Sequence, residues 1–344
     1  MPVTTIEDVA DRAGVSPATV DRVIHGRGKP RNGTIARVKE AIEALGYRPN
    51  LAASTLARGK IRRLGLVIPD WDVEFLKGLA DQAADLDEEL ELAGASVHML
   101  KCDETDPAAF AENFEAFAEE LDGCAVLAPN DPAVVEAIAR LEANGVRIAT
   151  IVTEIPTSAR TLFVGPNNRD LGATAACLLA PTLERVDGPV AVLKPAALQE
   201  DHEARYVGFC TALRGIGIDP SRIKTFVGRN QDSEDDIAAH AIKELGPHAL
   251  TGAYMTGGGL GAQMAALTAS QAGKPVTVAT DLTSLSRKLL LSQDLNFVVA
   301  SDVKDMVNTA FVSLLRTLNE PLWKPKAGFQ QVQVFTRFNL PQQP

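Results

Sequence analysis

At 344 residues, 46% of them hydrophobic, the chain has room for two or three domains and enough apolar side chains for a substantial core. Its charge is unevenly placed: residues 1–63 hold twelve Lys and Arg against six Asp and Glu, a net +6, while the other 281 carry 22 against 38, a net −16. A basic head on an acidic body suits phosphate binding at one end and argues against non-specific nucleic-acid binding elsewhere.

The head opens with two short helices around a glycine. Thr5 is a good N-cap, with Asp8 three residues on in a variant of the capping box. Ile6, Val9, Ala10 and Ala13 then share one helical face, and Gly14 supplies the left-handed residue that ends the helix. Val15 is placed to plug a small core, Ser16 to cap the next helix, and Pro17 sits where a missing N–H is harmless. Val20, Val23 and Ile24 point inward, leaving Pro17, Ala18, Asp21, Arg22 and His25 outward. This is the pattern of a helix-turn-helix, whose second helix offers its first turn to the major groove. A third amphipathic helix is expected from about Asn32 to Leu45, with Asn32 as its cap. After Pro49 and Asn50 comes a short apolar stretch, Leu51–Ala57, too short to be a stable helix alone in water.

From Leu64 onward, apolar runs alternate with helical stretches. Strands are expected at Leu64–Pro69, Ala95–Leu100, Cys124–Ala128 and Arg147–Val152, with helices through Phe75–Leu92, Phe110–Leu121 and Ala133–Asn144. Residues 163–181, 189–194, 203–215, 223–227, 234–245, 250–255, 260–272 and 276–280 repeat the rhythm. Such alternation predicts doubly wound parallel sheets, and about ten units divide better between two lobes than into one sheet. Ligands of these sheets lie beyond the carboxyl ends of the strands.

Three stretches carry a close resemblance to the lactose-repressor (LacI/GalR) family of bacterial transcription regulators: Ile6–Arg22, Ala41–Asn50 and Leu51–Gly59. The resemblance implies a helix-turn-helix headpiece (1–48), a hinge helix (49–60) and a periplasmic-binding-protein-like core (61–344). In that core, lobe 1 spans about 61–163 and 296–320, and lobe 2 about 164–295 and 321–344. It also implies that paired hinge helices order in the minor groove of a near-palindromic operator, with Leu56 as the wedge that bends the duplex. A flexible interdomain linker is the alternative for this segment in the free protein.

The candidate DNA-contacting set is Thr5, Ser16, Pro17, Ala18, Thr19, Arg22, His25, Thr34 and Tyr47, with Asn50, Ala53 and Leu56 from the hinge. Pro17 and Ala18 stand at positions that often read bases, yet neither side chain can donate a hydrogen bond. Arg22 is therefore the candidate for a bidentate guanine contact, and Ser16, Thr19, Thr34 and Tyr47 for phosphate contacts, which position without specifying.

Effector candidates are polar or aromatic residues just after strand ends: Trp71, Asp72 and Phe75, then Asn130 and Asp131, Glu154, and Asn168 at the opening of the second lobe. The family pattern adds Arg205 as effector-gripping arginine and Asp281 as effector-binding aspartate; Asp302 follows the returning strand. Carboxylates, amides and an arginine suit vicinal hydroxyls, and an aromatic can cover the apolar face of a sugar ring. For each of these residues the competing use is a helix N-cap or a surface charge. The chain departs from the family at Thr256-Gly257-Gly258-Gly259, where Asn-Asp is common; Gly257 would let backbone N–H groups approach a ligand.

Other signals are weaker. Gly257-Gly258-Gly259-Leu260-Gly261 lacks the spacing of a dinucleotide fingerprint, and there is no P-loop. Asp201-His202-Glu203 has no second histidine at ligand spacing, so no metal or cofactor is expected and His202 is read as a solvated or cleft-rim residue. Cys102, Cys124, Cys177 and Cys210 are far apart and mostly in apolar runs, and read as reduced core cysteines. With no apolar signal segment and no run of membrane-span length, a cytoplasmic homodimer is expected, lacking the apolar heptads that make some relatives tetramers. The expectation is a DNA-binding regulator, most simply a repressor, controlled by a sugar or polyol; a binding-protein-like enzyme with a vestigial headpiece is the alternative.

Overall fold

The computed structural model describes residues 5–24, 28, 30–45, 47, 61–91, 94–195, 200–227, 237–246, 250–269, 274–320, 323, 325 and 328–342. The expected hinge, with Asn50, Ala53 and Leu56, lies outside the described residues, as does His25.

In the head, α1 (Ile6–Ala13), α2 (Pro17–Ile24) and α3 (Asn32–Leu45) enclose a core of Val9, Ala10, Ala13, Val20, Val23, Ile24, Val38 and Ala41. The Thr5–Asp8 capping box forms in both directions, and Gly14 ends α1 at φ 63° while its N–H returns to the Ala10 and Asp11 carbonyls. One expectation needs correcting. Asn32 is the first residue inside α3, and the carbonyl accepting the first helical bonds, from Thr34 N at 2.8 Å and Ile35 N at 3.1 Å, is that of Arg31. Pro30 is compatible with the extended entry that precedes a helix, so the turn starts one residue earlier than the polar Asn32 suggested.

The body holds two six-stranded sheets. The first contains β1 (Arg62–Pro69), β2 (Ala95–Cys102), β3 (Gly123–Val126), β4 (Arg147–Ile151), β5 (Leu162–Pro166) and, from far along the chain, β11 (Gly328–Gln330). Its order is β2-β1-β3-β4-β5-β11, parallel throughout. The second contains β6 (Val190–Lys194), β7 (Ile223–Val227), β8 (Gly252–Met255), β9 (Val276–Thr280), β10 (Phe297–Ala300) and β12 (Gln333–Phe335). Its order is β7-β6-β8-β9-β10-β12, with only the β10–β12 pair antiparallel.

Alternation along the strands divides each core in two. Leu64, Leu66 and Ile68 of β1 pack with α4 (Glu74–Glu91) and α12 (Val303–Asn319), whereas Val67 joins α5 (Pro107–Ala118) and α6 (Pro132–Ala143). In the second sheet, Val190 and Val192 face α7 (Asn168–Leu183) and α8 (Glu200–Ile216). Ala191 and Leu193 face the other way, toward α9 (Ile237–Leu245), α10 (Leu260–Ala269) and α11 (Ser284–Ser292).

The lobe boundaries differ from the expected ones. Val164–Pro166 and Gly328–Gln330 were expected in the second lobe, but β5 pairs with β4, Val164 beside Ile151, and β11 pairs with β5 in the same sheet. Phe297–Ala300 was expected in the first, but β10 pairs with β9, Phe297 beside Val278. The chain leaves each lobe after completing a strand, so the crossings fall near 167, 301–302 and 331–332. These crossings put strand ends and helix starts of both lobes around one cleft.

Candidate functional site

The cleft between the lobes encloses about 580 Å³, within the range of small-molecule sites. From the first lobe, the turn after β1 lines it with Asp70, Trp71, Asp72, Glu74 and Phe75, joined by Leu127 and Val152. The second lobe contributes Pro195, Asp201, His202 and Arg205, then Gly258, Gly259 and Leu260, then Thr280, Asp281, Thr283 and Leu285.

Arg205 is the centre of the buried polar group, only 3% exposed. It lies on α8 one turn after Asp201, so the i,i+4 spacing brings Nη2 to 3.0 Å from Asp201 Oδ2. Nη1 donates to the Thr256 carbonyl at 2.8 Å and Nε donates to Asn168 Oδ1 at 2.9 Å. Burial opposes its charge, but Asp201 and then Asp281 outweigh that and hold the guanidinium above its ordinary pKa.

The two aspartates are affected oppositely. At Asp201 burial favours the acid form, yet His202 and Arg205 outweigh it, and the carboxyl stays below the usual range. At Asp281 burial wins over the attraction of Arg205, and the repulsion of Asp201 adds to it, so its pKa is raised. Asp281 also has φ 73°, a left-handed backbone uncommon outside glycine.

His202 Nδ1 lies 3.2 Å from the Thr256 carbonyl, which can only accept, so Nδ1 carries the proton. Burial lowers its pKa, the pull of Asp201 notwithstanding. Gly257 makes this packing possible. At φ 148°, its place would put an added Cβ 2.4 Å from His202 Cε1.

Asn168, the first residue of α7, ties the arginine to the other lobe: its Nδ2 donates to the Val152 carbonyl at 2.9 Å while its Oδ1 receives Arg205 Nε. Val152 sits at φ 64° at the apex of a γ-turn closed by Thr153 N and the Ile151 carbonyl at 2.6 Å. A β-branched residue there is strained. Two glycines fix the spacing of α7 and α8. An added Cβ on Gly172 would lie 1.8 Å from the Arg205 carbonyl, and one on Gly208 would lie 2.0 Å from that of Arg169. The helices touch backbone to backbone, which sets the depth of Arg205.

Of the expected effector residues, Trp71, Asp72, Phe75, Arg205 and Asp281 come together in the cleft. Asn168 and Gly257 stand behind it as supports. The remaining four are used elsewhere. Asn130 Nδ2 donates to Glu200 Oε1 at 2.7 Å, joining the two lobes. Asp131 caps α6, and Glu154 is paired with Arg160 at 2.6 Å. Asp302 caps α12 and borders a neighbouring cavity of about 630 Å³. A further contact between the lobes runs from Ser284 N to Glu74 Oε1, 2.5 Å. Sequence reasoning missed Asp201 and Leu285 as lining residues; for Asp201 the signal was its place one helical turn before Arg205.

In the head, Pro17, Ala18 and Arg22 are exposed along one side of α2, with Thr19 half-buried between them. The first turn of α2 holds no acidic side chain, leaving its N–H end attractive to phosphate. The Thr5 hydroxyl is engaged with Asp8 at 2.9 Å, and Ser16 Oγ with Thr19 Oγ1 at 2.9 Å. Thr34 and Tyr47 are half-buried.

Residues 64–320 match the family model of the periplasmic binding protein domain. The chain belongs to that family. Residues 5–50 match the model of bacterial regulatory proteins of the lacI family, so a lacI-family headpiece precedes the periplasmic-binding-protein domain. Among curated relatives, the HTH-type transcriptional regulator AglR of Rhizobium meliloti is 43% identical over 95 residues, 25% of this chain and 26% of that protein. Catabolite control protein A of Streptococcus mutans is 35% identical over 119 residues, 35% of each chain. The chain thus spans about a quarter to a third of the length of these relatives.

Two solved structures show the same fold. An ABC transporter solute binding protein from Burkholderia graminis, in complex with D-arabinose, has a TM-score of 0.71 at 20% identity, covering 81% of this chain and 96% of its own. The transcriptional regulator CelR–cellobiose complex has a TM-score of 0.65 at 18% identity, covering 97% and 98%. Among the described residues, no helix is long and apolar enough to cross a membrane, and no group of His, Cys, Asp and Glu is arranged to hold a metal ion.

Proposed function

We propose that this chain is a cytoplasmic, homodimeric, sequence-specific DNA-binding regulator of transcription whose operator affinity is set by a small sugar or polyol bound between the lobes. The observation that carries the reading is the joining, in one chain, of a lacI-family headpiece to a cleft lined together by Arg205, Asp281, Trp71 and Phe75. Repression is the simplest mode of action.

In this mechanism α2 enters the major groove of one half-site, with Arg22 reading a guanine and the Pro17–Ala18 surface offering apolar contact at most. The segment 49–60 orders on DNA, and the Leu56 of each subunit wedges the central minor groove. Hydroxyls of the effector pair with Arg205, Asp201 and Asp281, and an aromatic ring covers its apolar face. Because Asn168 links Arg205 to Val152 of the first lobe, a change at the cleft is felt on both sides of the crossings. Linkage then requires DNA to change effector affinity by the same factor that the effector changes DNA affinity.

The test is a separation of roles. Arg22→Ala should abolish specific duplex binding and leave the thermal shift caused by the effector intact, whereas Arg205→Ala should retain DNA binding and lose the effector response. Loss of both properties in either variant would contradict the division of labour. The alternative, an enzyme of binding-protein fold, has no observation in its favour.

A further inference from the structure

Resting on the reading of the cleft as a polyol site, we infer that it accepts only polyols without negative charge and rejects phosphorylated or acidic ones, with Asp201 and Asp281 as the discriminating residues. Among the described residues, Asp70, Asp72, Glu74, Asp201 and Asp281 line the same space, against one guanidinium, Arg205, and one histidine, His202, whose pKa burial lowers. Asp201 is 5% exposed, and Arg205 is 3% exposed.

An arginine in a cleft usually invites an anion, because its fork matches a phosphate or carboxylate. Here three of its five N–H groups are already committed, to Asn168, Thr256 and Asp201. Its single positive charge is shared between two carboxylates: Asp201 keeps it, and Asp281 is left above its ordinary range. Arg205 therefore serves the ligand as a pair of donors, without surplus positive charge.

A second observation points to what the ligand must bring. Asp201 Oδ1 is buried and takes no hydrogen bond from the described residues; His202 Nε2 stands 4.0 Å from it, beyond hydrogen-bond reach. A buried carboxylate oxygen wants a donor. A hydroxyl or an ammonium group supplies one; a phosphate dianion or carboxylate supplies only acceptors and meets uncompensated negative charge. Repulsion of this kind at low dielectric lowers affinity by about 100-fold or more.

The test uses the full-length protein and matched probes titrated by calorimetry: D-glucose, D-glucosamine and glucose 6-phosphate; D-ribose and ribose 5-phosphate; myo-inositol and its monophosphate. The expected result is that at least one neutral or amino member binds and its phosphate ester binds about 100-fold more weakly. Asp281→Asn should narrow that ratio. A phosphate ester binding within tenfold of its parent, or more tightly, overturns the inference and leaves the polyol reading standing. An unchanged ratio in Asp281→Asn overturns the role given to the buried carboxylates. Failure of every probe to bind overturns the polyol reading itself.

Discussion

Replacing Asn168 with alanine removes both halves of the bridge between Arg205 and the first lobe. Asn168 is 7% exposed, and its two bonds, each 2.9 Å, reach a guanidinium N–H and the carbonyl of Val152, itself 2% exposed. Both bonds are buried, so alanine leaves one buried donor and one buried acceptor unsatisfied. At about 1–3 kcal/mol for each such group, the loss comes to roughly 2–6 kcal/mol. For a domain of this size, about 2–4 °C of midpoint per kcal/mol gives a fall of roughly 4–24 °C in thermal unfolding. Asn168→Asp keeps an acceptor opposite Nε but loses the donor to Val152, so it should recover part of the loss. Effector affinity should fall with stability in Asn168→Ala, because Arg205 loses its fixed orientation. A midpoint within about 1 °C of the native protein, with unchanged effector affinity, would refute the reasoning.

The two aspartates beside Arg205 should respond to amidation with opposite signs. Asp281 has a raised pKa in the fold, so ionising it opposes folding above its ordinary value of 3.8; Asp281→Asn should raise the midpoint at pH 7, and the gain should vanish below about pH 3.8, where the group is protonated in both states. Asp201 has a lowered pKa, so its contribution is present above 3.8 and lost as pH falls through its folded value; Asp201→Asn should lower the midpoint at pH 7. Equal signs in a pH series of melting curves would contradict this electrostatic account. Gly172→Ala drives a Cβ to within 1.8 Å of the Arg205 carbonyl and must push α8 outward. It should destabilise by about 1–3 kcal/mol and weaken effector binding, whereas an unaltered effector affinity would show that the depth of α8 does not matter.

How far the sequence could be read depended on how many uses a residue type has. The headpiece was legible residue by residue, because Thr5, Asp8 and Gly14 perform local tasks whose geometry is fixed within four residues. Asn32 misled because an amide is a good cap, while the cap position was settled by the Pro30 entry. Arg205 and Asp281 were placed by family pattern. Asn130, Asp131, Glu154 and Asp302 follow strand ends as ligand-binding residues do, but so do helix caps and ion pairs, and in these four the second use prevailed. The lobe boundaries failed at β5, β10 and β11 because a strand-forming run does not say which sheet edge it will meet. Gly172 and Gly208 gave no local signal at all: the backbone contact they allow joins helices distant along the chain.

The central claim is that one chain couples a DNA-reading head to a ligand cleft. Its most direct test is selection of bound duplexes from a random pool by the full-length protein, at a fixed salt concentration, with and without a mixture of uncharged sugars and polyols. The account predicts enrichment of a near-palindromic site whose recovery changes when the mixture is added. No enrichment in either arm would contradict it.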